Sequence, residues 1–305
     1  MSWLQALFQG WLVDQLPKKY IFKTIIYTVL ALIAFAANSV LARMALGDGT
    51  IDAAGFTVIR LLSGAIMLLV ISIVVRGNSE NHKGKTAGSW SGSLMLFVYA
   101  ITFSFAYISL DTGTGALILF GAVQITMIVV SLASGHRLRT GEWVGLIIAF
   151  AGFVFLILPG VSTPSVYGFG LMTVSGIAWG LYTLNGRLSD NPLADTTYNF
   201  VRTVPMVVIV AGITIASANY SVRGVLLAVL SGAIASGIGY TLWYSALGGL
   251  TATRAAVLQL LVPVIAAIGG VLFVSEVITI RLVISTTLIL SGILLVVLSK
   301  RADLT

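Results

Sequence analysis

Residues Ala53–Val75 read AAGFTVIRLLSGAIMLLVISIVV, and only one of these residues, Arg60, carries a charge. A helix of about 20 apolar residues is long enough to cross the roughly 30 Å hydrocarbon core of a lipid bilayer. Lipid offers no hydrogen-bonding partners, so polar groups inside such a helix must find their partners within the protein. The stretch therefore predicts a membrane-spanning helix.

Nine further apolar stretches resemble this one, and no Asp or Glu lies in the middle of any of the ten. Together they predict an all-α membrane protein with ten transmembrane helices. The predicted spans are Phe22–Ala45, Ala53–Val75, Trp90–Ser109, Gly113–Ala133, Trp143–Leu158, Val166–Arg187, Thr197–Ser217, Val222–Leu247, Ala252–Val274 and Val277–Leu298.

The composition excludes several classes of protein. The chain is 58% hydrophobic and 9% charged, whereas a soluble domain of 305 residues needs far more charge to cover its surface. The absence of Cys excludes disulfides, thiolate metal sites and Cys nucleophiles. The two His residues, His82 and His136, lie in polar connections, so we expect no metal and no cofactor.

The distribution of Lys and Arg predicts the orientation in the membrane. Arg60 and Arg202 fall inside spans, and Arg43, Arg223 and Arg281 lie on one side. The other side carries Lys18, Lys19, Lys23, Arg76, Lys83, Lys85, Arg137, Arg139, Arg187, Arg254, Lys300 and Arg301. Because an excess of Lys and Arg marks the cytoplasmic face, we expect both termini in the cytoplasm of a bacterium and the spans in its inner membrane. The basic residues form no single patch, which argues against nucleic acid as a partner.

The ends of the chain differ from its middle. Residues 1–20 place Trp3, Leu7 and Trp11 at helical spacing, which predicts an amphipathic segment on the membrane surface or a remnant of an expression tag. We expect a first five-helix repeat in residues 21–160, a second in residues 161–300, and a tail in residues 301–305.

Two short patterns recur between the halves. Phe35–Arg43 reads FAANSVLAR and Trp179–Arg187 reads WGLYTLNGR, so an aromatic residue, a polar middle and a terminal Arg fall in the same places. Phe56–Arg60 and Tyr198–Arg202 also share an aromatic residue followed by an Arg four positions on. Because five is odd, a repeat of five spans places the halves in opposite orientations, which is the architecture of secondary transporters.

Three stretches carry a resemblance to a known family: Trp179 in the sixth span, Leu258–Pro263 (LQLLVP), and Ser275 with Glu276 before the last span. With these, the chain resembles the EamA type of the drug/metabolite transporter superfamily from about Phe22 to Ser299, and within it the YddG-type bacterial amino acid exporters. The resemblance implies ten helices, inverted repeats of five, and efflux of amino acids or similar metabolites.

The first half departs from this pattern, because Val123 and His136 stand where the second half has Pro263 and Glu276. The two halves therefore need not move alike.

Ion coupling is predicted from the carboxylates. Asp111, Glu142 and Glu276 lie at span ends, whereas proton relays need embedded ionisable groups. We therefore expect transport without a tightly coupled ion. Bacterial members of the resembled family are often proton-coupled, so a proton-coupled drug/metabolite antiporter of the same fold is the alternative.

Arg60 and Arg202 lie about two turns inside their spans. Either Arg could attract a substrate carboxylate. The interpretation we favour is structural, with the side chains snorkelling to the interface or capping carbonyl groups of a neighbouring helix.

Aromatic and amide residues are the candidates for the substrate site. Large aromatic faces with few hydrogen-bonding groups suit a bulky, mostly apolar solute such as an aromatic or neutral amino acid. The candidates are Phe35, Asn38, Tyr99, Phe103, Gln124, Trp179, Tyr182, Tyr240, Trp243 and Gln259. Trp90, Tyr107 and Tyr244, near span ends, are predicted to belong to interfacial belts.

Glycine and proline mark positions where the helices could bend. Gly232, Gly237 and Gly239 in the eighth span and Pro263 in the ninth are candidate gating or hinge residues. A fixed kink at Pro263 is the favoured alternative.

The sequence thus predicts a transporter that uses alternating access and binds amino acids within the lipid bilayer, and we expect a monomer. An intramembrane enzyme would need a polar catalytic pair within the spans, which the sequence lacks. A channel would usually have a ring of like groups or a selectivity loop, and the sequence suggests neither.

Overall fold

The computed structural model describes residues 18–76, 88–134, 140–158, 164–186, 189–247, 249–250 and 252–299. Residues 1–17 of the predicted amphipathic segment, the tail after residue 300, and both His82 and His136 lie outside the described residues.

Within the described residues, every predicted span corresponds to one helix or to helical pieces that follow one another. The helices are α1 (Lys18–Leu46), α2 (Ala53–Arg76), α3 (Trp90–Ala106), α4 (Thr112–Ala133), α5 (Thr140–Ile157), α6 (Val166–Gly186), α7 (Pro192–Arg202), α8 (Val204–Thr214), α9 (Val222–Val229), α10 (Gly239–Leu247), α11 (Ala252–Gln259), α12 (Val262–Val274) and α13 (Ile280–Ser299). A π-helical segment, Leu230–Ile238, joins α9 to α10, and a short 3₁₀ turn, Ile215–Ser217, follows α8.

Two of the predicted spans are interrupted by proline. Pro205 lies in the first turn of α8 and Pro263 in the first turn of α12, where the missing N–H is tolerated. The interruption of the ninth span at Leu260 and Leu261 is the kink expected from Pro263.

Eight helical stretches of the described residues are long and apolar enough to cross a membrane. The two other predicted spans fall short for different reasons. Trp90–Ala106 is apolar but has only 17 residues, and Val166–Gly186 contains several glycine and polar residues. The all-α membrane fold is therefore confirmed, although two helices are less typical spans.

Some helix ends differ from the predicted ones. The seventh span begins at Pro192 instead of Thr197 because Asn191 caps it, its Oδ1 accepting a 3.1 Å hydrogen bond from the Ala194 N–H. The last span begins at Ile280 instead of Val277 because Ser275 adopts a left-handed conformation (φ 59°) that ends α12.

The helix contacts are similar in the two predicted halves. For most contacts between a helix of the first half and one of the second, the equivalent helices with the halves exchanged are also in contact. α1 packs on α10 and α12, while α6 packs on α3 and α4. α5 packs on α13, α2 on α7 and α4 on α12, each joining equivalent positions of the two halves. Two inverted repeats of five helices would produce this pattern, and the repeat stays a prediction.

The loops after α1 and before α9 join the halves at one end of the bundle. Ile51 and Tyr220 form an antiparallel β-bridge, and the Asp52 N–H donates to the Asn219 carbonyl at 3.1 Å. We call this the Arg43 end, and the opposite end, where α3 begins, the Ser89 end. Many large apolar side chains on the outside of the bundle are exposed, as expected for a surface that faces lipid.

Candidate functional site

Trp179 of α6 lies at the centre of an aromatic cluster in the middle of the bundle. Its indole lies 4.8 Å from the ring of Tyr99, 5.2 Å from that of Tyr182 and 5.2 Å from that of Tyr240, measured between ring centroids. The Tyr182 and Tyr240 rings are stacked on the indole, at interplanar angles of 26° and 23°. Residues of α3, α6 and α10 therefore meet at one side chain.

The cluster continues through further ring contacts. Phe35 of α1 lies 5.8 Å from Tyr240 and 5.7 Å from Trp243, and Phe103 lies 5.6 Å from Tyr99. Tyr99 and Phe103 are four residues apart, which places them on one face of α3. The structure thus brings together all seven aromatic candidates, namely Phe35, Tyr99, Phe103, Trp179, Tyr182, Tyr240 and Trp243.

A small cavity lies inside this cluster. Its volume is about 20 Å³, which is space for about one water molecule. It is lined by Phe35, Asn38, Ser39, Tyr99, Phe103, Leu119, Phe120, Trp179 and Tyr240. No charged side chain of the described residues belongs to this lining. A solute the size of an amino acid fits only if these helices separate.

Two predicted amide residues lie away from the cavity lining. Gln124 is buried in α4, one turn beyond Phe120, and its Nε2 has no hydrogen-bond partner. Gln259 is half-buried at the end of α11. Their proposed roles at the site stay untested predictions.

Asn38 joins α1 to the π-helical segment. Its Oδ1 accepts a 2.7 Å hydrogen bond from the Ser231 hydroxyl, and its Nδ2 donates to Ser236 Oγ at 3.3 Å. Residues five apart lie about 140° apart around an α-helix, and they come closer to one face when hydrogen bonds run from i to i+5. The π-helical geometry therefore presents both hydroxyls to one amide, and a regular α-helical pattern read from sequence would miss this network.

The candidate hinge glycines lie at close helix contacts. A Cβ on Gly232 would overlap the Arg60 carbonyl oxygen and the Ser63 hydroxyl of α2. A Cβ on Gly237 would lie 2.9 Å from the Met67 side chain, and one on Gly239 would lie 2.9 Å from Ala34. Each glycine therefore has a packing reason to be small.

Arg60 is buried beside the aromatic cluster, with 2% of its surface exposed. Its Nη2 donates a 2.6 Å hydrogen bond to the Tyr99 hydroxyl. Its Cζ lies 4.6 Å from the Phe103 ring centroid and 5.1 Å from that of Tyr99, which gives cation–π contacts. The expectation that Arg60 snorkels or caps a carbonyl is wrong, because the guanidinium points into the protein and bonds a hydroxyl.

The Arg60 charge is incompletely compensated. Nη1 is buried without a hydrogen-bond partner, and no ion pair involves Arg60 in the part of the chain that the structure describes. An Arg near the centre of a bilayer costs at least about 2.5 kcal/mol on insertion scales. Such a cost is usual where the charge serves a function.

Arg202, the sequence counterpart of Arg60, lies in a different environment. It is half-buried at the Ser89 end, where its Nη1 would lie 2.6 Å from a Cβ added to Gly88. The two embedded Arg residues therefore serve different parts of the bundle.

The comparisons with known proteins agree with the membrane fold. Residues 166–298 match the EamA-like transporter family. A Pseudomonas aeruginosa protein, named only as uncharacterized, is 46% identical over 274 residues, which cover 90% of this chain and 94% of that protein. The chain belongs to the EamA-like transporter family.

Two more distant relatives of this EamA-like transporter are named as uncharacterized transporters. An uncharacterized transporter of Archaeoglobus fulgidus is 29% identical and matches 66% of this chain and 73% of its own length. The uncharacterized transporter YoaV of Bacillus subtilis is 19% identical, and the match covers 78% of this chain and 85% of that protein. A crystal structure that is 18% identical shares the fold, with a TM-score of 0.59 over 90% of this chain and 97% of the other.

Charged groups join three parts of the chain at the Arg43 end of the transporter. Arg43 Nε donates to Glu276 Oε1 at 3.2 Å, and Arg43 Nη2 lies 3.5 Å from Asp111 Oδ1. The Glu276 carboxylate also accepts hydrogen bonds of 3.0 and 2.9 Å from the Thr112 N–H, at the start of α4. This network ties α1, α4 and the loop after α12 together.

Tyr107 lies beneath this network and is fully buried, so its predicted place in an interfacial belt is wrong. Its ring packs edge-on against Phe103 at 4.7 Å, and its hydroxyl donates to the Thr112 carbonyl at 3.3 Å. Tyr107 follows Phe103 by four residues, and this helical spacing was the sequence signal that the two rings lie on the same side of the helix. Trp90, by contrast, is 61% exposed, as expected of a belt residue.

Hydrogen bonds also join helices at the Ser89 end. The Gly88 N–H donates to Asp195 Oδ1 and the Ser89 N–H to Asn199 Oδ1, each at 2.8 Å. Both contacts tie the start of α3 to α7. Polar networks therefore join helices at both ends of the bundle, on either side of the central cavity.

Proposed function

We propose that this EamA-like transporter exports neutral amino acids, with a preference for aromatic ones, and related metabolites across the bacterial inner membrane. The observation that carries the proposal is the aromatic cavity around Trp179, with the polar groups of Asn38 and Ser39 in its lining. Such a lining favours a substrate with a flat or bulky apolar side chain. It offers few groups to bind the polar end of that substrate.

The proposed mechanism is alternating access. The cavity is too small for the substrate, and separate networks close the Arg43 end and the Ser89 end. Breaking one network at a time would open the cavity to one side, and the exchanged helix pairs support a rocking of two inverted halves. The excess of Lys and Arg supports a cytoplasmic Ser89 end.

We propose that no ion is tightly coupled to this movement, because no carboxylate belongs to the described lining of the cavity. One observation favours the alternative, a proton-coupled drug/metabolite antiporter. The Glu276 side chain is only 13% exposed and belongs to the network at the Arg43 end, so loss of its negative charge would weaken that network. An imposed pH gradient distinguishes the two.

Export can be tested in a bacterial strain that accumulates phenylalanine when fed a phenylalanine-containing dipeptide. Expression of the protein should lower the intracellular phenylalanine and raise it in the medium. A variant with Trp179→Ala, expressed at the same level in the membrane, should export less. Equal phenylalanine in the medium with and without the protein, together with the same result for leucine and methionine, would contradict the proposal.

A further inference from the structure

The Arg60 guanidinium is a buried cation without a matching anion. Only 2% of the residue is exposed, and Nη1 has no hydrogen-bond partner. The charge is met by one phenolic hydroxyl, that of Tyr99, and by the faces of two rings. A hydroxyl and two ring faces stabilise a guanidinium less than a carboxylate would, because a carboxylate adds a full negative charge and can accept two parallel hydrogen bonds.

This cation lies directly behind the wall of the central cavity. Tyr99 and Phe103 line the cavity, and both rings contact the guanidinium. A cavity of about 20 Å³ must expand to admit an amino acid, and expansion displaces rings of its wall. Displacement of Tyr99 or Phe103 would bring the free Nη1 into contact with the solute.

The backbone at Arg60 is well fixed for such a role. The π-helical segment crosses α2 so closely that Gly232 leaves no space for a Cβ beside the Arg60 carbonyl oxygen. The same segment is tied to α1 by the hydrogen bonds of Asn38 with Ser231 and Ser236. A fixed backbone lets the side chain of Arg60 recognise a group at a defined position.

We propose that Arg60 binds the carboxylate of the transported solute and thereby selects amino acids over cationic drugs. The inference rests on the proposed function. The faces of Trp179 and Tyr240 would take the ammonium group or the aromatic side chain, because an aromatic face attracts a cation without a carboxylate. A lipophilic cation that lacks a carboxylate would instead meet the unpaired charge of Arg60.

A set of four ligands tests this selection on the purified protein. Phenylalanine has both charged groups, phenylalaninamide and phenethylamine keep only the ammonium, and 3-phenylpropionate keeps only the carboxylate. We expect phenylalanine and 3-phenylpropionate to bind to the wild-type protein, measured by calorimetry, at least about tenfold more tightly than phenylalaninamide and phenethylamine. Equal or tighter binding of the two amines would overturn the inference.

Variants then assign the selection to Arg60. Arg60→Gln should weaken phenylalanine binding by at least about tenfold and change phenylalaninamide binding by less than about threefold. Arg60→Lys, which keeps the charge, should restore part of the preference. Arg223→Gln is the matched control, because Arg223 is an exposed residue paired with Asp48 at the Arg43 end.

The outcomes separate this inference from the proposed function. If the wild-type protein binds none of these ligands and no other amino acid, the proposed function fails. If it binds phenylalanine and Arg60→Gln keeps the same preference for the acid over the amide, only the role of Arg60 fails. If Arg60→Gln does not fold, the comparison of Arg60→Lys with the wild-type protein and the four-ligand comparison decide the matter.

Discussion

The indole of Trp179 lies 4.8 Å from the ring of Tyr99, and this contact joins α6 to α3 across the two predicted halves of the chain. Tyr99 in turn accepts a 2.6 Å hydrogen bond from Arg60, so the aromatic cluster directly contacts the buried charge. A movement that separates α3 from α6 would therefore change the cavity and the surroundings of the charge together.

The first prediction concerns the size of the substrate. Trp179→Ala should raise the KM for phenylalanine about tenfold, because the variant loses the indole face of the cavity lining, and one aromatic contact with the substrate ring is worth about 0.5–1.5 kcal/mol. Alanine transport should change less, since a small solute depends less on the indole. Uptake into proteoliposomes measures both.

Trp179→Phe should keep most of the activity, and Trp90→Ala serves as a control because Trp90 is exposed on the outside of the bundle. Equal losses for phenylalanine and alanine in Trp179→Ala would point to damage of the fold and contradict a role in substrate selection.

The second prediction concerns the amide network of Asn38. Asn38→Ala leaves the hydroxyls of Ser231 and Ser236 without their partner, which should lower the free energy of unfolding by about 1–3 kcal/mol. Ser231→Ala should cost about 1 kcal/mol. The double variant should lose less than the sum, because both changes remove the same hydrogen bond.

Unfolding in mixed detergent micelles gives these values. Ser245→Ala is the control, since the exposed Ser245 hydroxyl donates only to the Thr241 carbonyl of its own helix. Additive losses would mean that Asn38 and Ser231 act independently, against the structure.

The third prediction concerns the closure of the Arg43 end. Glu276→Gln removes the charge that pairs with Arg43, which should favour opening by about 1–2 kcal/mol, or roughly five- to thirtyfold. The chain has no Cys, so a single Ser39→Cys in the buried cavity lining reports on access without background. A membrane-impermeant maleimide added to intact cells should label this Cys faster when Glu276→Gln is present.

The control is Asp48→Asn, which breaks the exposed pair of Asp48 and Arg223 at the same end. It should leave the labelling rate unchanged. If Glu276→Gln also leaves the rate unchanged, the network of Arg43 and Glu276 does not hold this end closed.

The fourth prediction separates packing from hinge motion at Gly232. Gly232→Ala should lower the melting temperature markedly, because the added Cβ overlaps the Arg60 carbonyl oxygen and the Ser63 hydroxyl. Gly212→Ala, in an open position of α8, should leave it unchanged or raise it slightly. A normal melting temperature with slower transport in Gly232→Ala would instead favour a hinge.

The membrane fold was predictable because its signal is strong. Apolar stretches of about 20 residues have few alternatives to a membrane-spanning helix. The interruption near Pro263 was predictable from the missing N–H. The start of α7 was not, because it depends on a cap by Asn191 that lies before the apolar pattern begins.

The aromatic residues of the site were predictable from the sequence, but the buried position of the Arg60 charge beside them was not. Large aromatic residues inside spans indicated the cluster around Trp179, and their contacts follow from helix packing. The position of Arg60 could not be predicted, because an Arg about two turns inside a span can snorkel or turn inward, and packing of neighbouring helices decides between them. The pairing of Asn38 with Ser231 and Ser236 depends on a π-helical segment, which has no clear sequence pattern.

We propose that the aromatic cavity carries neutral amino acids without a tightly coupled proton. Uptake of radiolabelled phenylalanine, tryptophan, methionine, leucine, threonine and glutamate into proteoliposomes, with and without an imposed pH gradient, tests it most directly. We expect uptake of the neutral amino acids, fastest for the aromatic ones, down their own gradients and at rates that the pH gradient does not change. Uptake that occurs only with the pH gradient would contradict it and would direct attention to Glu276.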